Sequence, residues 1–223
     1  GDHTVYNIAG HHRPPDHEVH RAGNVGPVNR IIVPRDLEAP TTTLTLAGAP
    51  GQNGWFLSNV TANLTVNDYA SLDHIVFGLV VGTQVLHTNY TTEFGVDGEG
   101  VHNVTFRSVS IGGLLEQEHF RLVKVALASP IVSASLGGTL GNNTWYTTPV
   151  AATLTPFDNA SGIATTLVGT DGGTLVTYTA PIVFATTGAH TVAAHTTDIA
   201  GRSFDMANVS FQIDLADPIT TLA

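Results

Sequence analysis

From Asn59 to Asn67 polar and apolar side chains alternate without a break: Asn59, Thr61, Asn63, Thr65 and Asn67 share one parity, and Val60, Ala62, Leu64 and Val66 share the other. A period of two puts the sets on opposite faces of a strand, so the stretch predicts a half-buried antiparallel strand. Val150, Ala152 and Leu154 repeat the inward set farther along. Leu44 with Leu46, and Ala134 with Leu136, open inward in the same way. Gly-, Asn- and Asp-rich clusters separate these runs: APGQNG, GGTLGNN, DNASG, DGG and TTGAH. Short strands punctuated by such turns every 8 to 12 residues or so predict an all-β sandwich. No stretch carries a convincing helical period.

The pattern recurs. GQNGWFLSNV at 51–60 is echoed by GNNTWYTTPV at 141–150. Pro40 precedes Trp55 by fifteen residues, as Pro130 precedes Trp145, and each Trp precedes an Asp (Asp68, Asp158) by thirteen. Gly100-Val101-His102 matches Gly188-Ala189-His190, with Gly113 and Gly201 thirteen residues after each glycine. Such self-similarity marks an internal duplication. Its landmarks predict one module over 40–129 and a second over 130–217. Ala22-Gly23, seventeen residues before Pro40, places 1–39 as the last strands of a preceding module or as a donor segment. DPITTLA repeats APTTTLTL, so 218–223 is expected to start a further module or to form a C-terminal extension. The chain is thus expected to look like a slice of a longer array.

Composition narrows the partners. Of 223 residues 42% are hydrophobic, which supplies ample core, yet no apolar run is long enough for a transmembrane helix. The net charge is −10 with eight Lys and Arg scattered along the chain, whereas a nucleic-acid surface needs clustered positive charge. Cysteine is absent, which removes disulfides, thiolate nucleophiles and Cys-based zinc sites. Seven Asn-x-Ser/Thr sequons stand at Asn59, Asn63, Asn89, Asn103, Asn142, Asn159 and Asn208. With 13 Asn and 41 Ser plus Thr, chance alone would supply about two, so the excess points to an N-glycosylated surface protein.

APTTTLTLAGAPGQNGWF, VTANLTVNDYAS, DNASG, YTAP, GAHTV, DIAG and IDLADP together resemble bacterial and archaeal Ig-like domains of secreted proteins. The likeness is to tandem modules of the OmpL47-type or chitobiase C-terminal-like kind, and it spans nearly everything from Pro40 to Asp217. The first module departs from the pattern at NDYASLDHIVFG and SIGGLLEQEH. The resemblance implies tandem immunoglobulin-like antiparallel β-sandwiches at the cell surface, serving as an extracellular spacer or adhesive stalk. It carries over no catalytic residue, and an enzyme is not expected.

Each candidate site has a plainer structural reading. Trp55-Phe56 and Trp145-Tyr146 could stack on sugar rings, but recurrence at one module position suits a plug at a sandwich end or inter-module joint better. His11, His12, Asp16, His17, Glu18 and His20 form the richest ligand cluster. Pro14-Pro15 denies it the helix that the His17–His20 spacing would need for a zinc or nickel site. His102 and His190 are expected at the rim of a core with one ring nitrogen bonded, with a pH switch as the functional reading. Asp68, Asp97, Asp158, Asp171 and Asp198 lie in or near turns and could hold calcium at a module junction, although no dense Asp string is present. No cofactor is otherwise expected. The sequence therefore predicts a glycosylated rod, stalk or filament whose partners are copies of itself or adjacent Ig-like modules. Its incomplete ends raise head-to-tail polymerisation by strand complementation. A glycan-binding or adhesive module that recognises surface glycans is the alternative.

Overall fold

A computed structural model describes residues 38–81 and 84–217. The first strands are β1 (Thr42–Ala47), β2 (Trp55–Phe56), β3 (Val60–Val66), β4 (Leu72–Val81), β5 (Gln84–Asn89), β6 (Phe94–Val96), β7 (Gly100–Ser110) and β8 (His119–Val125). Eight more follow: β9 (Ile131–Gly137), β10 (Trp145–Tyr146), β11 (Val150–Phe157), β12 (Ile163–Thr170), β13 (Val176–Thr177), β14 (Ile182–Phe184), β15 (Gly188–Asp198) and β16 (Ser203–Ile213). Among the described residues the only helical element is a single 3-10 turn over Asn142–Thr144.

A three-stranded sheet ordered β1-β3-β6 faces a five-stranded sheet ordered β2-β8-β7-β4-β5. The second eight strands reproduce both orders, as β9-β11-β14 and β10-β16-β15-β12-β13. These are two tandem Ig-like β-sandwiches. Pairing is antiparallel except where β2 runs parallel to β8 and β10 runs parallel to β16. Strand period alone does not reveal that parallel contact, because two-residue strands are too short to show a period.

Strand alternation builds each core. Along β3 exposure alternates residue by residue, burying Val60, Ala62, Leu64 and Val66. These pack with Ile75, Val96, Val104, Phe106, Val123 and Val125, and Leu44 and Leu46 lean against them. The second core collects Val150, Ala152, Leu154, Val168, Phe184, Val192, Phe211 and Ile213, with Ala134 and Leu136 at its flank. Each fully buried aliphatic chain of this kind contributes about 1.5–3 kcal/mol. No disulfide is needed to reinforce such cores.

One buried carboxylate closes the entry to the first sandwich. Glu116 accepts from the Thr42 N–H (2.8 Å) and hydroxyl (2.6 Å), and from the Ser108 N–H (2.8 Å) and hydroxyl (2.9 Å). The Ser108 hydroxyl also lies against the Pro40 carbonyl. Burial pushes the Glu116 carboxyl upward, but the four donors outweigh it and hold the group below its ordinary value. A depressed carboxylate contributes stability above its unfolded pKa and loses it as pH falls through the folded value. Glu116→Ala, which strands two buried N–H donors, is expected to cost about 2–4 kcal/mol. Thermal melts of the first sandwich in wild type should also fall on acidification, and the variant should lose that component of the pH dependence.

Candidate functional site

The end of the first sandwich meets two turns of the second. Trp55, 7% exposed, packs with Leu57 and Ala126 of the first against Ala160 and Ala200 of the second. An indole ring is large enough to seal such a seam alone, and the Lys124 ammonium stands 5.9 Å from its ring centroid. Four hydrogen bonds cross the seam. The Gln52 N–H donates to the Ala200 carbonyl (2.8 Å) and the Asn53 amide to that of Ile199 (2.8 Å). The Arg202 guanidinium donates to the carbonyls of Ala126 (2.9 Å) and Leu57.

Local chemistry makes the two turns rigid. In DNASG the Asp158 carboxylate accepts from the N–H groups of Ala160, Ser161 and Gly162 at 2.7–3.1 Å, a turn capped by its own side chain. In DIAGR the fully buried Asp198 accepts from the Arg202 N–H at 2.7 Å. The Ala200 N–H donates to the Ser161 hydroxyl and ties one turn to the other. Gly201 has φ +93°, and a Cβ there would come within 2.9 Å of Gln52, so only glycine permits this approach. The connecting segment is held as well, since Glu99 accepts from the N–H groups of Leu127 and Ala128.

Trp145, the repeat counterpart of Trp55, is half-buried at the far end of the second sandwich. Register with β16 places Asp214 there in the position that Ala126 holds in the first sandwich, and Thr147 stands in place of Leu57. The aromatic phrase is therefore shared while its surroundings differ. Phe56 leans on the first core and Tyr146 on the second, edge-on to Phe211 at 6.2 Å. Beside Tyr146 lies an open groove of about 780 Å³, flanked by Leu140, Asp171, His190 and Gln212.

The histidines occupy equivalent rims. His102 Nε2 lies 2.9 Å from the Gly98 carbonyl, and His190 Nε2 lies 2.9 Å from the Thr186 carbonyl. His190 Nδ1 also lies 2.9 Å from the Asp171 carboxylate, which accepts in addition from the Thr191 N–H. A carbonyl and a carboxylate only accept, so this pair of partners favours the imidazolium, in which both ring nitrogens donate. The Asp171 hydrogen bond, helped by the Thr186 carbonyl and opposed by burial, holds His190 above its ordinary value. Asp171 is held low, first by His190 and then by the Thr191 N–H.

The remaining candidates are dispersed. Asn59, Asn63, Asn89, Asn142, Asn159 and Asn208 are exposed, whereas Asn103 is half-buried within β7. Among the described residues no group of three His, Asp or Glu is placed to hold a metal ion. No helix there is long and apolar enough to cross a membrane. Asp68 caps its own turn through Ala70 and Ser71, so that turn persists where the sequence pattern departs. The cluster His11, His12, Asp16, His17, Glu18 and His20 lies outside the described residues. Sequence reasoning missed Arg202, Ala126 and Gln52. The available signal was divergence between repeats, with Arg202 standing where the first repeat has Leu114.

No protein-family model matches the chain. No curated protein matches it either. Among solved structures it is similar to the fibronectin(III)-like modules of Clostridium thermocellum CbhA, at 15% identity over 77% of this chain and 93% of that one, with a TM-score of 0.31. It is also similar to the D00-D0 domain of intimin, at 16% identity over 76% of this chain and 99% of that one, with a TM-score of 0.34.

Two outcomes follow from the seam and the rim. Trp55→Ala is expected to cost about 3–5 kcal/mol and Arg202→Ala about 1–3 kcal/mol. Calorimetry should show each variant splitting one coupled transition into two; an unsplit transition in both would refute the coupling. Because the His190 pKa is raised, its contribution is complete below about pH 6.5 and is lost as pH climbs through the folded value. The second sandwich should therefore melt lower at pH 8 than at pH 6, and Asp171→Asn should flatten that difference.

Proposed function

We propose that this chain is a non-catalytic structural protein of the cell surface, in which Ig-like modules are joined rigidly into a glycosylated rod, stalk or filament. The observation that carries this reading is the seam around Trp55. An apolar plug, four cross-seam hydrogen bonds and a braced connector fix two sandwiches end to end, where independent binding modules would need only a flexible tether. The free ends fit continued stacking. Tyr69, Ile111 and Leu115 are exposed at the end of the first sandwich that corresponds to the joined end of the second. Leu140 is exposed near the opposite end. Partners are accordingly adjacent Ig-like modules or copies of the chain. Each described sandwich has its own eight strands, so polymerisation by strand complementation would draw on 1–37 and 218–223, outside the described residues. Calcium is not required by this reading.

A glycan-binding role is the second reading, favoured by the groove beside Tyr146, where an aromatic ring meets a carboxylate and an amide. Trp145→Ala and Tyr146→Ala separate the two. The structural reading expects lower stability or shorter assemblies in electron micrographs with glycan retention unchanged. Loss of retention at full stability would overturn it in favour of recognition. Glycopeptide mass spectrometry of native material tests the surface placement: sugars are expected on the six exposed sequon asparagines, with Asn103 bare.

A further inference from the structure

The first sandwich reaches the seam through a turn built from Gln52, Asn53, Gly54 and Trp55. The Trp55 N–H donates to the Gln52 carbonyl at 3.0 Å, and the Gly51 N–H donates to the Trp55 carbonyl at 2.8 Å. Asn53 and Gly54, the two central residues, have φ +53° and +75°, the left-handed pair that Asn-Gly fills most readily in a tight turn. The second sandwich makes the corresponding turn without that glycine. Asn143 and Thr144 have φ +53° and +65° there, and the Gly141 N–H donates to the Trp145 carbonyl at 2.7 Å. A threonine is thus accommodated after the asparagine even at a φ that strains a β-branched residue. The backbone alone does not demand glycine at 54.

Only the joined copy carries the reactive pair. Asn53-Gly54 is the one Asn-Gly sequence among the 223 residues, and both residues are exposed. When glycine follows an asparagine, no side chain shields the next main-chain nitrogen from the asparagine amide carbon. The surroundings are open as well, since a Cβ built on Gly54 would meet nothing within 4 Å. The same asparagine is a seam residue. Its Nδ2 donates to the Ile199 carbonyl at 2.8 Å, beside the Gln52 N–H on the Ala200 carbonyl. Labile chemistry and an inter-module hydrogen bond therefore share one side chain.

We propose that Asn53 is a self-modifying site, deamidated through a succinimide, which records opening of the seam and then hinders its closing. In the first step the Gly54 nitrogen bonds to Asn53 Cγ and the Cγ–Nδ2 bond breaks. Nδ2 leaves as ammonia, taking the proton that the Gly54 nitrogen gives up. Solvent water then opens the ring. Addition at Cγ leaves aspartate at position 53, and addition at the main-chain carbonyl leaves isoaspartate, whose backbone is one carbon longer. Neither step needs an oxidant or a reductant. Ring closure requires the amide to come off the Ile199 carbonyl, so a closed seam protects Asn53 and a local opening exposes it. The product cannot restore the contact. A carboxylate only accepts, as the Ile199 carbonyl does, so a donor–acceptor pair becomes two acceptors and the carbonyl is left without its donor. A transient parting of the two sandwiches is thereby made lasting. The site acts whether or not the chain is a surface rod, because the conversion takes place within a single chain in solution.

In the full chain held warm at mildly alkaline pH in heavy-oxygen water, peptide mass spectrometry is expected to find label and isoaspartate at Asn53 while Asn143 keeps its amide. Arg202→Ala removes two of the cross-seam hydrogen bonds. It should speed the conversion about tenfold, the change in open population that about 1.4 kcal/mol gives. A low dose of urea, which favours the open seam of wild type, should accelerate it likewise. Gly54→Thr installs the second sandwich's own residue and should stop the conversion with the coupled thermal transition kept. Asn53→Asp, the product in advance, should split that transition as aged wild type does. The proposal is overturned if Asn53 and Asn143 convert at the same rate, or if neither Arg202→Ala nor urea speeds the reaction at Asn53. An unsplit transition in Asn53→Asp would overturn it too, because the product would then leave closing unhindered.

Discussion

Burying one alternating stripe of each strand between two sheets sets what the other residues in the chain are free to do. Once Val60, Ala62, Leu64 and Val66 face inward, the intervening residues must face out, and their chemistry becomes a choice made by surroundings. In the second sandwich that choice is polar at Asn208, Ser210 and Gln212 of the large sheet, while Ile131, Phe157 and Val183 are exposed on the small one. In the first, Asn63 and its threonine neighbours face out from the small sheet, while the large one carries the sequons Asn89 and Asn103 beside the exposed Phe120 and Leu122. The same two-residue period therefore yields a polar face with sequon asparagines on one side and exposed apolar side chains on the other.

The joint follows from a different rule. Its hydrogen bonds end on main-chain carbonyls, those of Ala200, Ile199, Ala126 and Leu57, not on carboxylates. Carbonyl acceptors keep their charge distribution at every pH, and salt screens such contacts less than it screens exposed ion pairs. A seam built this way is insensitive to moderate changes of pH and salt. Carboxylates enter only behind the seam, where Asp158 and Asp198 brace its two turns; Glu116 and the His190–Asp171 pair lie elsewhere in the two sandwiches.

Much of the architecture was legible in the sequence, because alternation, turn clusters and repeat landmarks all report on the same strands. Val150, Ala152 and Leu154 could be placed inward from parity alone. The parallel pairing of β2 with β8 was not legible, since two residues show no period. Glu116 was hidden because its donors lie on Thr42 and Ser108, distant in sequence, and no local pattern foretells a buried carboxylate. Trp55 and Trp145 read as equivalents, yet their neighbours Ala126 and Asp214 give them different settings. Arg202 and the Phe120–Leu122 pair stand out only as differences between the repeats, which no local pattern marks.

The parallel contact near each chain exit has a mechanical consequence. A sandwich is entered through its first strands and left through β8 or β16, and β2 and β10 run in the same direction as those exit strands. Tension along the polypeptide pulls the two members of such a pair past one another lengthwise. Their hydrogen bonds are then strained together in shear instead of being peeled open one at a time. Short as each pair is, it sits where traction would enter the fold, and in the first sandwich one of its two residues is the buried Trp55.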